Sequence, residues 1–508
     1  MNFLDLPHDI LAEIFRLLDG DSVYSCSLVN KGLHVYLHSR REFEYRYRLE
    51  KQELINASDG KCTYENRIDL LKYFVYMWWS DSRNPKTPYE IYHIEGRCIA
   101  YELVAGVFAK TDGSSLLLQW LPSFNTPGRQ VTYSRDEVGF PIKDFALDPT
   151  QDVVVSIEAN YLPYVLPWSR EIVLHFRTLS ANTPHPEAKE PTIRFPVPYH
   201  PQGNDLSAVT IQLADDLLSI SFSSGLGLYR LLLWDWKNAT VILNSMSPSL
   251  HLPPGSYSFE ILSSRSYAIL SRSNSGSIYV YNIEYPRNPV IPPFCVAKLM
   301  MPSLLPGIQL TSLLSHTGPF LGQPRRDGLF TTSPAARVYV ISARFLNTSR
   351  THATFFIHGS AFAPYIQTKR PQIPFPEVPW EEWSHRKCFV FPEHLSTNCR
   401  FIQGTRIVMP TMEGPENGKV HILDFNLVRD PVRDAESSNF GLFMQDIHFI
   451  LPPRIRTMLV GSSCTSWMID EDYILGLNTT GDFEEQIRSL EVYSMYHSHD
   501  VQPQNIDM

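Results

Sequence analysis

A chain of 508 residues is too long for one ordinary hydrophobic core, so its length predicts two or more domains or one large repeat architecture. Hydrophobic residues make up 43% of the chain and charged residues 19%, a composition that excludes a disordered protein. The net charge of -9 argues against nucleic acid as a partner, because that affinity is built from clustered Lys and Arg. The apolar runs are shorter than the about 20 residues that cross a bilayer, so no membrane partner is expected either.

The N-terminal segment and the cysteines bear on the cellular compartment. Asp5 and Asp9 stand where a secretory signal carries basic residues, and the segment lacks a continuous apolar core. We therefore expect a cytoplasmic protein, a nuclear one, or both. The cysteines form no CxxC pair, which predicts reduced thiols rather than a zinc site or a disulfide framework. No cofactor and no metal is expected.

The stretch LPHDILAEIFRLL predicts the first helix of the chain. Its apolar residues recur at spacings of one, three and four, which gathers them on one stripe. The stripe consists of Ile10, Leu11, Ile14, Phe15 and Leu18. Pro7 suits a first helical turn, Asp9 favours the positive end of the helix dipole, and Gly20 is expected to end the helix.

Two further helices are predicted before residue 49. Asp21 or Ser22 is expected to cap a helix over SVYSCSLVNK, and a third helical segment runs from Leu33 to Arg48. Three short helices bury too little surface to be stable alone. The apolar stripe must therefore pack either on the rest of this chain or on another protein.

The segment LPHDILAEIFRLLDGDSVYSCSLVNKGL resembles the F-box motif. That motif has Leu-Pro, a variable residue, an acidic residue and Ile-Leu, followed by Ile-Phe, a Leu and later a Val. The matching residues are Leu6, Pro7, Asp9, Ile10, Leu11, Ile14, Phe15, Leu18, Val23 and Val29. They match in register without a gap, and the resemblance covers about the first 45 residues.

The resemblance implies a function for the chain. F-box proteins are substrate receptors of SCF-type (Skp, cullin, F-box) ubiquitin ligases, in which the motif binds the Skp adaptor and the rest of the chain binds a protein target. By this resemblance the residues divided between the adaptor interface and the small helical core are Leu6, Pro7, Ile10, Leu11, Ile14, Phe15, Leu18, Val23 and Val29. Among them, Ile10 and Phe15 are expected to be partly exposed in the isolated chain.

The predicted secondary structure changes from helices to short strands near residue 90. The dense apolar run RIDLLKYFVYMWWSD predicts a buried bridging helix, and Pro85 and Pro88 then fit a linker. We therefore divide the chain into an F-box at 1–48, a helical linker at 49–89, a β domain at 90–500 and a tail at 501–508.

The β domain contains loosely repeated units of alternating apolar residues, a turn with Gly or Ser, and a strand rich in aromatic residues. Seven candidate units lie near Cys98, Asp152, Asp216, Ser266, Arg337, Arg406 and Asp472. Their spacing exceeds the roughly 40 to 50 residues of compact propeller repeats, which loop insertions explain. The fold class is therefore an α + β multidomain protein: a three-helix F-box followed by a mainly antiparallel β-propeller of six to eight blades. A pair of β-sandwiches is the alternative.

Two further observations concern the β domain. Phrases such as DFALDPTQDVVVSIE and PWEEWSHR are similar to the C-terminal region of many fungal F-box proteins, which resembles a propeller. Propellers often close by pairing an early strand with a late one. The segment SLEVYSM is therefore expected to pair with a strand near residues 90 to 110.

The search for catalytic residues finds no GxSxG, GxGxxG, Walker or HExxH motif. Glu381 and Glu382 lie between two tryptophans, but on a strand they would point to opposite faces and not act together. His497 and His499 are interpreted as part of a solvated tail. The chain is therefore not expected to be an enzyme.

Two other residue pairs have a structural and a functional interpretation. Trp234 and Trp236 share one face of a strand, which favours packing between blades over ligand stacking. Arg325 and Arg326 favour an exposed, solvated loop, although Arg also suits recognition of an acidic or phosphorylated segment.

The favoured function is a non-enzymatic substrate receptor of an SCF-type E3 ubiquitin ligase, acting in ubiquitin-dependent protein degradation. It would bind the Skp adaptor, and cullin through it, with the F-box, and an unknown protein target with the propeller. The alternatives are a scaffold that binds the adaptor outside a ligase and a propeller-type module that binds a ligand.

Overall fold

The computed structural model describes most of the chain outside some loops and both ends. The described residues are 6–57, 62–79, 89–122, 131–135, 138–158, 170–197, 209–223, 229–247, 250–284, 291–325, 328–366, 370, 375–391, 401–410, 418–428, 435–450, 454–461, 464–480 and 486–495. The tail at 501–508, Pro85 and Pro88, Arg326, His497 and His499 lie outside these residues.

The described N-terminal residues form helices and one short strand. They are α1 (His8–Arg16), α2 (Gly20–Ser27), α3 (Lys31–Ser39), α4 (Arg41–Lys51), β1 (Leu54–Asn56) and α5 (Tyr64–Trp79). The prediction of a single third segment was wrong, because Arg40 is extended (φ -106°, ψ 99°) and separates α3 from α4. The Arg40 guanidinium lies back over the Tyr36 ring of α3 at 5.3 Å, a local contact four residues earlier in the chain.

The start of α2 also differs from the prediction. Asp19, not Asp21 or Ser22, caps α2 by accepting a hydrogen bond from the Ser22 amide at 2.7 Å, which lowers the pKa of Asp19. Gly20 begins α2 rather than ending α1. A Cβ at Gly20 would lie 2.9 Å from the Cα of Tyr47, so the close approach of α2 to α4 requires glycine there.

The strands that follow form seven sheets arranged as propeller blades, which confirms the predicted propeller. β2 (Glu90–Arg97) precedes blade 1, and the blades then follow in chain order. Blade 1 contains β3 (Ala100–Val104), β4 (Val107–Thr111), β5 (Leu116–Trp120) and β6 (Val131–Arg135). Blade 2 contains β7 (Ile142–Asp148), β8 (Val153–Glu158), β9 (Arg170–Thr178) and β10 (Thr192–Val197). Blade 3 contains β11 (Thr210–Ala214), β12 (Leu217–Ser223), β13 (Tyr229–Asp235) and β14 (Thr240–Asn244).

The later blades carry insertions. Blade 4 contains β15 (Ser256–Ser263), β16 (Ser266–Ser271), β17 (Ser277–Asn282) and β18 (Phe294–Met300). Blade 5 contains β19 (Gln309–Ser315), β21 (Val338–Leu346), β22 (His352–His358) and β24 (Cys388–Phe391), with β20 (Phe330–Thr332), β23 (Glu377–Val378) and α6 (Trp380–Trp383) inserted. Blade 6 contains β25 (Ile402–Gln403), β26 (Arg406–Pro410), β27 (Lys419–Asp424) and β30 (Arg454–Leu459), with the hairpin β28 (Ala435–Ser438) and β29 (Ile447–Ile450) inserted.

The last blade closes the ring. Blade 7 contains β31 (Ser466–Ile469), β32 (Tyr473–Thr480) and β33 (Gln486–Ser494), and its fourth strand is β2. The register runs antiparallel from Glu90 opposite Val492 to Arg97 opposite Gln486. The predicted pairing of SLEVYSM with an early strand is therefore confirmed.

The first strands of successive blades line the centre of the ring, as the contacts of β7 with β3 and β11 show. The end of the propeller that carries the turns between first and second strands is called the bottom face here, and the opposite end is called the top face. Asp152 and Asp215 occupy such bottom turns with positive φ of 59° and 53°. Asp152, Asp216 and Asp472, at which repeats were predicted, fall in the bottom turns of blades 2, 3 and 7.

The tryptophans of blade 3 take part in packing between blades, as predicted. Trp236 is fully buried and stacks on Phe176 of blade 2 at 5.7 Å. Trp234 stacks on Phe195 at 5.9 Å. Within the described part of the chain, no helix has the length and apolar character needed to cross a membrane.

Candidate functional site

Helix α1 carries two apolar stripes on different faces. The inner stripe, Leu11, Ala12 and Phe15, is buried, with Leu11 and Phe15 only 1% and 2% exposed. Phe15 meets Phe43 of α4 edge to face at 6.0 Å, within a small core that also contains Val23 and Leu33. This inner stripe holds the N-terminal helices together.

The outer stripe of α1 faces solvent. It consists of Pro7, Ile10, Ile14 and Leu17, whose spacings of three and four residues place them along one line of the helix. Ile10 is 49% exposed and Leu17 is 87% exposed. Leu28 and Val29 after α2, and Val35 on α3, are also exposed. An apolar surface of this kind is typical of a protein-binding site.

The N-terminal helices are joined to the bottom face of the propeller through β1. This strand pairs antiparallel with β20, from Leu54 opposite Thr332 to Asn56 opposite Phe330. Just before it, Glu53 lies in the left-handed region at φ 53°. The Glu53 carbonyl accepts a hydrogen bond from the Ser333 amide at 2.8 Å, and its carboxylate lies 3.2 Å from Nε2 of His358.

Blade 6 adds contacts with the residues on either side of β1. Nδ2 of Asn426 donates to the Lys51 carbonyl at 3.2 Å, and the Leu427 amide donates to the Glu53 carboxylate at 3.3 Å. Both Lys51 and Glu53 therefore have their positions set by the propeller. The helices and the propeller are held by directional bonds rather than by a single flexible tether.

Helix α5 is the buried bridging helix that the sequence predicts. Its Trp78 is fully buried, and the Arg406 guanidinium of β26 lies over the Trp78 ring at 4.1 Å. Burial lowers the pKa of Arg406. Nη1 of Arg456 donates to the carbonyls of Met77 and Trp78 at 2.5 and 2.7 Å, which satisfies acceptors at the negative end of the helix.

Replacing Trp78 by alanine is expected to loosen this junction strongly. A Trp→Ala change in a core costs about 3–5 kcal/mol, because the ring leaves a cavity, and Arg406 loses the nearer of the two aromatic rings beneath its guanidinium. Urea unfolding of the full-length chain should report this loss. Tyr76→Ala is the matched control, since Tyr76 is 62% exposed on the same helix and should change the free energy of unfolding by about 0.5 kcal/mol or less. Equal stability of the two variants would contradict a structural role for α5.

The bottom mouth of the central channel is crossed by a segment of blade 5, residues 316–325. A Cβ at its Gly322 would lie 2.0 Å from Oδ1 of Asp215, so this segment packs tightly on the bottom turn of blade 3. At its end, Nη1 of Arg325 lies 3.3 Å from Oδ2 of Asp472 in the bottom turn of blade 7. The segment therefore reaches across the channel from blade 5 to blades 3 and 7.

Arg325 was predicted to lie in an exposed loop, and this prediction was wrong. Its side chain is only 6% exposed and lies among acidic groups of blade 7. Asp470 is buried beside it and accepts a hydrogen bond from the Gly106 amide of blade 1. Burial raises the pKa of Asp470, while the Arg325 charge acts in the opposite direction. The contact needs residues more than a hundred positions apart, so local sequence carries no sign of it.

The sequence comparison identifies the N-terminal helices. Residues 3–44 match the F-box domain family. This segment is an F-box domain. It is followed by the seven-bladed propeller, so the chain has the architecture of an F-box protein with a propeller.

Several solved structures are similar to this chain at low sequence identity. Kluyveromyces lactis Hsv2 shares 9% identity with a TM-score of 0.36, over 79% of this chain and 100% of that chain. U3-55K shares 8% identity with a TM-score of 0.35, over 81% and 100% of the two chains. The WD40 β-propeller domain of Doa1 shares 8% with a TM-score of 0.35, over 80% and 97%. No curated protein matches this sequence.

The residues predicted to bind the adaptor fall into two groups in the F-box. Exposed or half-buried are Leu6, Pro7, Ile10, Ile14, Leu18 and Val29, whereas Leu11, Phe15 and Val23 are buried. The partial exposure expected of Ile10 is confirmed, and that expected of Phe15 was wrong because Phe15 fills the core between α1 and α4. Binding of the adaptor by these residues stays a prediction.

The residues predicted to bind the adaptor leave out several exposed apolar residues of the F-box. Among them are Leu17, Leu28 and Val35, which are 87%, 66% and 59% exposed. A signal for Leu17 was present, because it continues the spacing of Pro7, Ile10 and Ile14. Leu28 stands beside Val29 on the apolar face predicted for SVYSCSLVNK, whereas Val35 gave no such signal, since the side of a short helix that stays exposed depends on how the helix packs.

The remaining chemical candidates do not form a site. Trp380–Trp383 form a short helix rather than a strand, so the argument from opposite strand faces was wrong. Both tryptophans are buried while Glu381 and Glu382 are exposed, so the carboxylates have no enclosed environment. Among the described residues, no group of three or more His, Cys, Asp or Glu side chains is placed to hold a metal.

Proposed function

We propose that this F-box protein is a substrate receptor of an SCF-type ubiquitin ligase. The F-box binds a Skp adaptor, through it a cullin, and the propeller holds a protein target. The observation that carries this proposal is the junction at Glu53 and Trp78. It fixes the F-box at the bottom face and leaves the outer stripe of α1 uncovered by the described residues.

The outer stripe is the part of the F-box that we assign to the adaptor. Ile10 and Leu17 expose apolar surface that packs on nothing within the described chain. Full burial of such a side chain is favourable by about 1.5–3 kcal/mol, which is a source of affinity for a partner with a complementary groove. Leu28 and Val29 extend the same apolar character beyond α1.

The propeller contributes a target site at its top face. The bottom face is occupied by β1, α5 and the segment 316–325, so a target approaching from that side meets the F-box junction. The transfer of ubiquitin to the target then requires no catalytic residue of this chain. Holding a target lysine near the transferring enzyme raises its effective concentration, and the stiff junction at Glu53 keeps that distance defined.

Reconstitution tests this proposal directly. The full-length chain, co-expressed with a Skp adaptor and a cullin, is expected to elute with both as one complex in size-exclusion chromatography. An eluted complex that contains adaptor but no cullin would favour the scaffold function instead. A chain that elutes without adaptor would refute the assignment of the outer stripe to the adaptor.

We also propose that the protein acts in the cytoplasm, the nucleus or both. Imaging of the tagged chain in cells tests this localisation.

A further inference from the structure

A groove opens on the top face between blades 4 and 5. It has a volume of 510 Å³, and its walls are the β16–β17 turn and the loop that joins β18 to β19. On its far side, Nδ2 of Asn347 in the β21–β22 turn donates to the Gly307 carbonyl at 3.1 Å. The groove therefore lies between turns of two adjacent blades, away from the F-box junction.

Apolar side chains form part of the lining of the groove. They are Leu304, Leu305, Ile308 and Leu310, and each is half-buried. Arg272, Asn274, Ser275 and Gln309 add polar groups to the lining. Such a mixture of apolar and polar groups is common in a ligand groove.

Arg272 lines this groove, and Arg350 belongs to the β21–β22 turn that contacts it through Asn347. Nη1 of Arg272 donates to the Thr311 carbonyl at 2.9 Å, and the guanidinium lies over the Tyr257 ring at 4.9 Å. Arg350, in the same turn as Asn347, lies over the Phe440 ring at 6.0 Å. Neither forms an ion pair with the described residues, whereas Arg46 and Arg194 pair with Glu50 and Glu171.

The surroundings of the groove contain few acidic residues. No Asp or Glu occurs in 250–259, 270–276, 301–315 or 342–352, although the chain has 53 acidic residues and a net charge of -9. The adjoining hairpin carries Glu436 and Asp446. The positive charge at the groove is thus local, and it is complementary to an acidic ligand.

We propose that the groove binds an extended acidic segment of the protein target. Carboxylates of the segment pair with Arg272 and Arg350, and an apolar side chain packs on the apolar part of the lining. This inference rests on the proposed function, because it assigns a chemical class to the target that the ligase receives.

The geometry favours carboxylates over phosphate. Recognition of phosphorylated motifs uses clusters of Arg, whereas Arg272 and Arg350 belong to turns of different blades. One N–H of the Arg272 guanidinium already donates to the Thr311 carbonyl, and one face of the guanidinium lies over the Tyr257 ring. Its remaining edge suits one carboxylate.

Binding to an array of immobilised decapeptides tests the proposal. The peptides combine leucine with aspartate and glutamate at varied spacing, and matched peptides carry asparagine and glutamine, or phosphoserine, in the acidic positions. The full-length chain in complex with the Skp adaptor is the binding protein. We expect it to retain acidic peptides, with affinity that falls as salt is raised, and to release the amide-bearing ones.

Variants locate the site. Arg272→Glu and Arg350→Glu are each expected to weaken binding of the best acidic peptide by about tenfold or more, since they remove a cation and add a repelling charge. Lys189→Glu is the matched control, because it makes the same change of charge at an exposed position in a bottom loop of blade 2 and should alter affinity by about twofold or less.

Each outcome is decisive. Any of three results would overturn the proposal. They are a chain that retains no acidic peptide, a chain that binds the amide-bearing peptides equally well, and an Arg272→Glu variant whose affinity is unchanged. Phosphoserine peptides that bind about tenfold more tightly than acidic ones would replace it by phosphate recognition. Adaptor binding is measured on the same preparations, so failure of the groove with adaptor still bound leaves the proposed ligase function intact.

Discussion

Ending the chain after residue 470 is expected to yield insoluble protein. The deletion removes β32 and β33, the two strands at the centre of blade 7, and leaves β2 and β31 without partners. Among the buried side chains that disappear are Tyr473, Leu475, Leu477, Leu490 and Tyr493. At about 1.5–3 kcal/mol each, their burial is comparable with the whole stability of a typical domain, about 5–15 kcal/mol.

The same deletion also removes the partners of buried charged and polar groups. Arg325 loses Asp472, and Glu471 no longer accepts hydrogen bonds from Thr331 and Thr332 at 3.0 and 2.9 Å. Breaking a buried pair by removing one partner is strongly destabilising. A chain ended after residue 495 keeps all strands of blade 7 and is the matched control, which is expected to remain soluble. The readouts are the soluble fraction after expression and the thermal melt. A soluble 470-residue product with a cooperative melt would refute ring closure through β2 and β33.

Truncating Ile10 and Leu17 together to alanine is expected to weaken adaptor binding by about tenfold to a hundredfold. Interface residues of this kind commonly contribute more than about 1 kcal/mol each, and about 1.4 kcal/mol corresponds to a factor of ten. Both side chains are exposed, so their truncation leaves the small core of the F-box intact. Calorimetric affinity for the Skp adaptor, measured beside a thermal melt of the full-length chain, should show lost binding with an unchanged melt.

Two variants separate binding from folding in this experiment. Phe15→Ala removes a buried ring from the F-box core and should cost about 3–5 kcal/mol of local stability, so it loses adaptor binding by unfolding the helices. Tyr76→Ala truncates an exposed aromatic of α5 outside the F-box and should bind the adaptor normally. Undiminished adaptor binding by the Ile10 and Leu17 double variant would count against the outer stripe as the interface.

The sequence alone determined the features that rest on local, repeated signals. The F-box pattern from Leu6 to Val29 is contiguous, so its match needed no knowledge of distant residues. The seven β units, their alternation and the helix of RIDLLKYFVYMWWSD are likewise set by hydrophobic periodicity and by turn residues. Closure by SLEVYSM followed from the same repeat, because a ring of blades removes unpaired edges only when its ends meet.

The tertiary structure alone decided which face each of these residues occupies. Ile10 and Phe15 belong to one predicted stripe, yet Phe15 is buried because α4 packs against it, while Ile10 stays 49% exposed. Arg325 is buried because a segment of blade 5 crosses the channel to Asp472, a contact between residues far apart in the chain. The groove beside Arg272 also exists only where two blades meet. Periodicity records the spacing of side chains along an element, whereas burial depends on which distant element covers it.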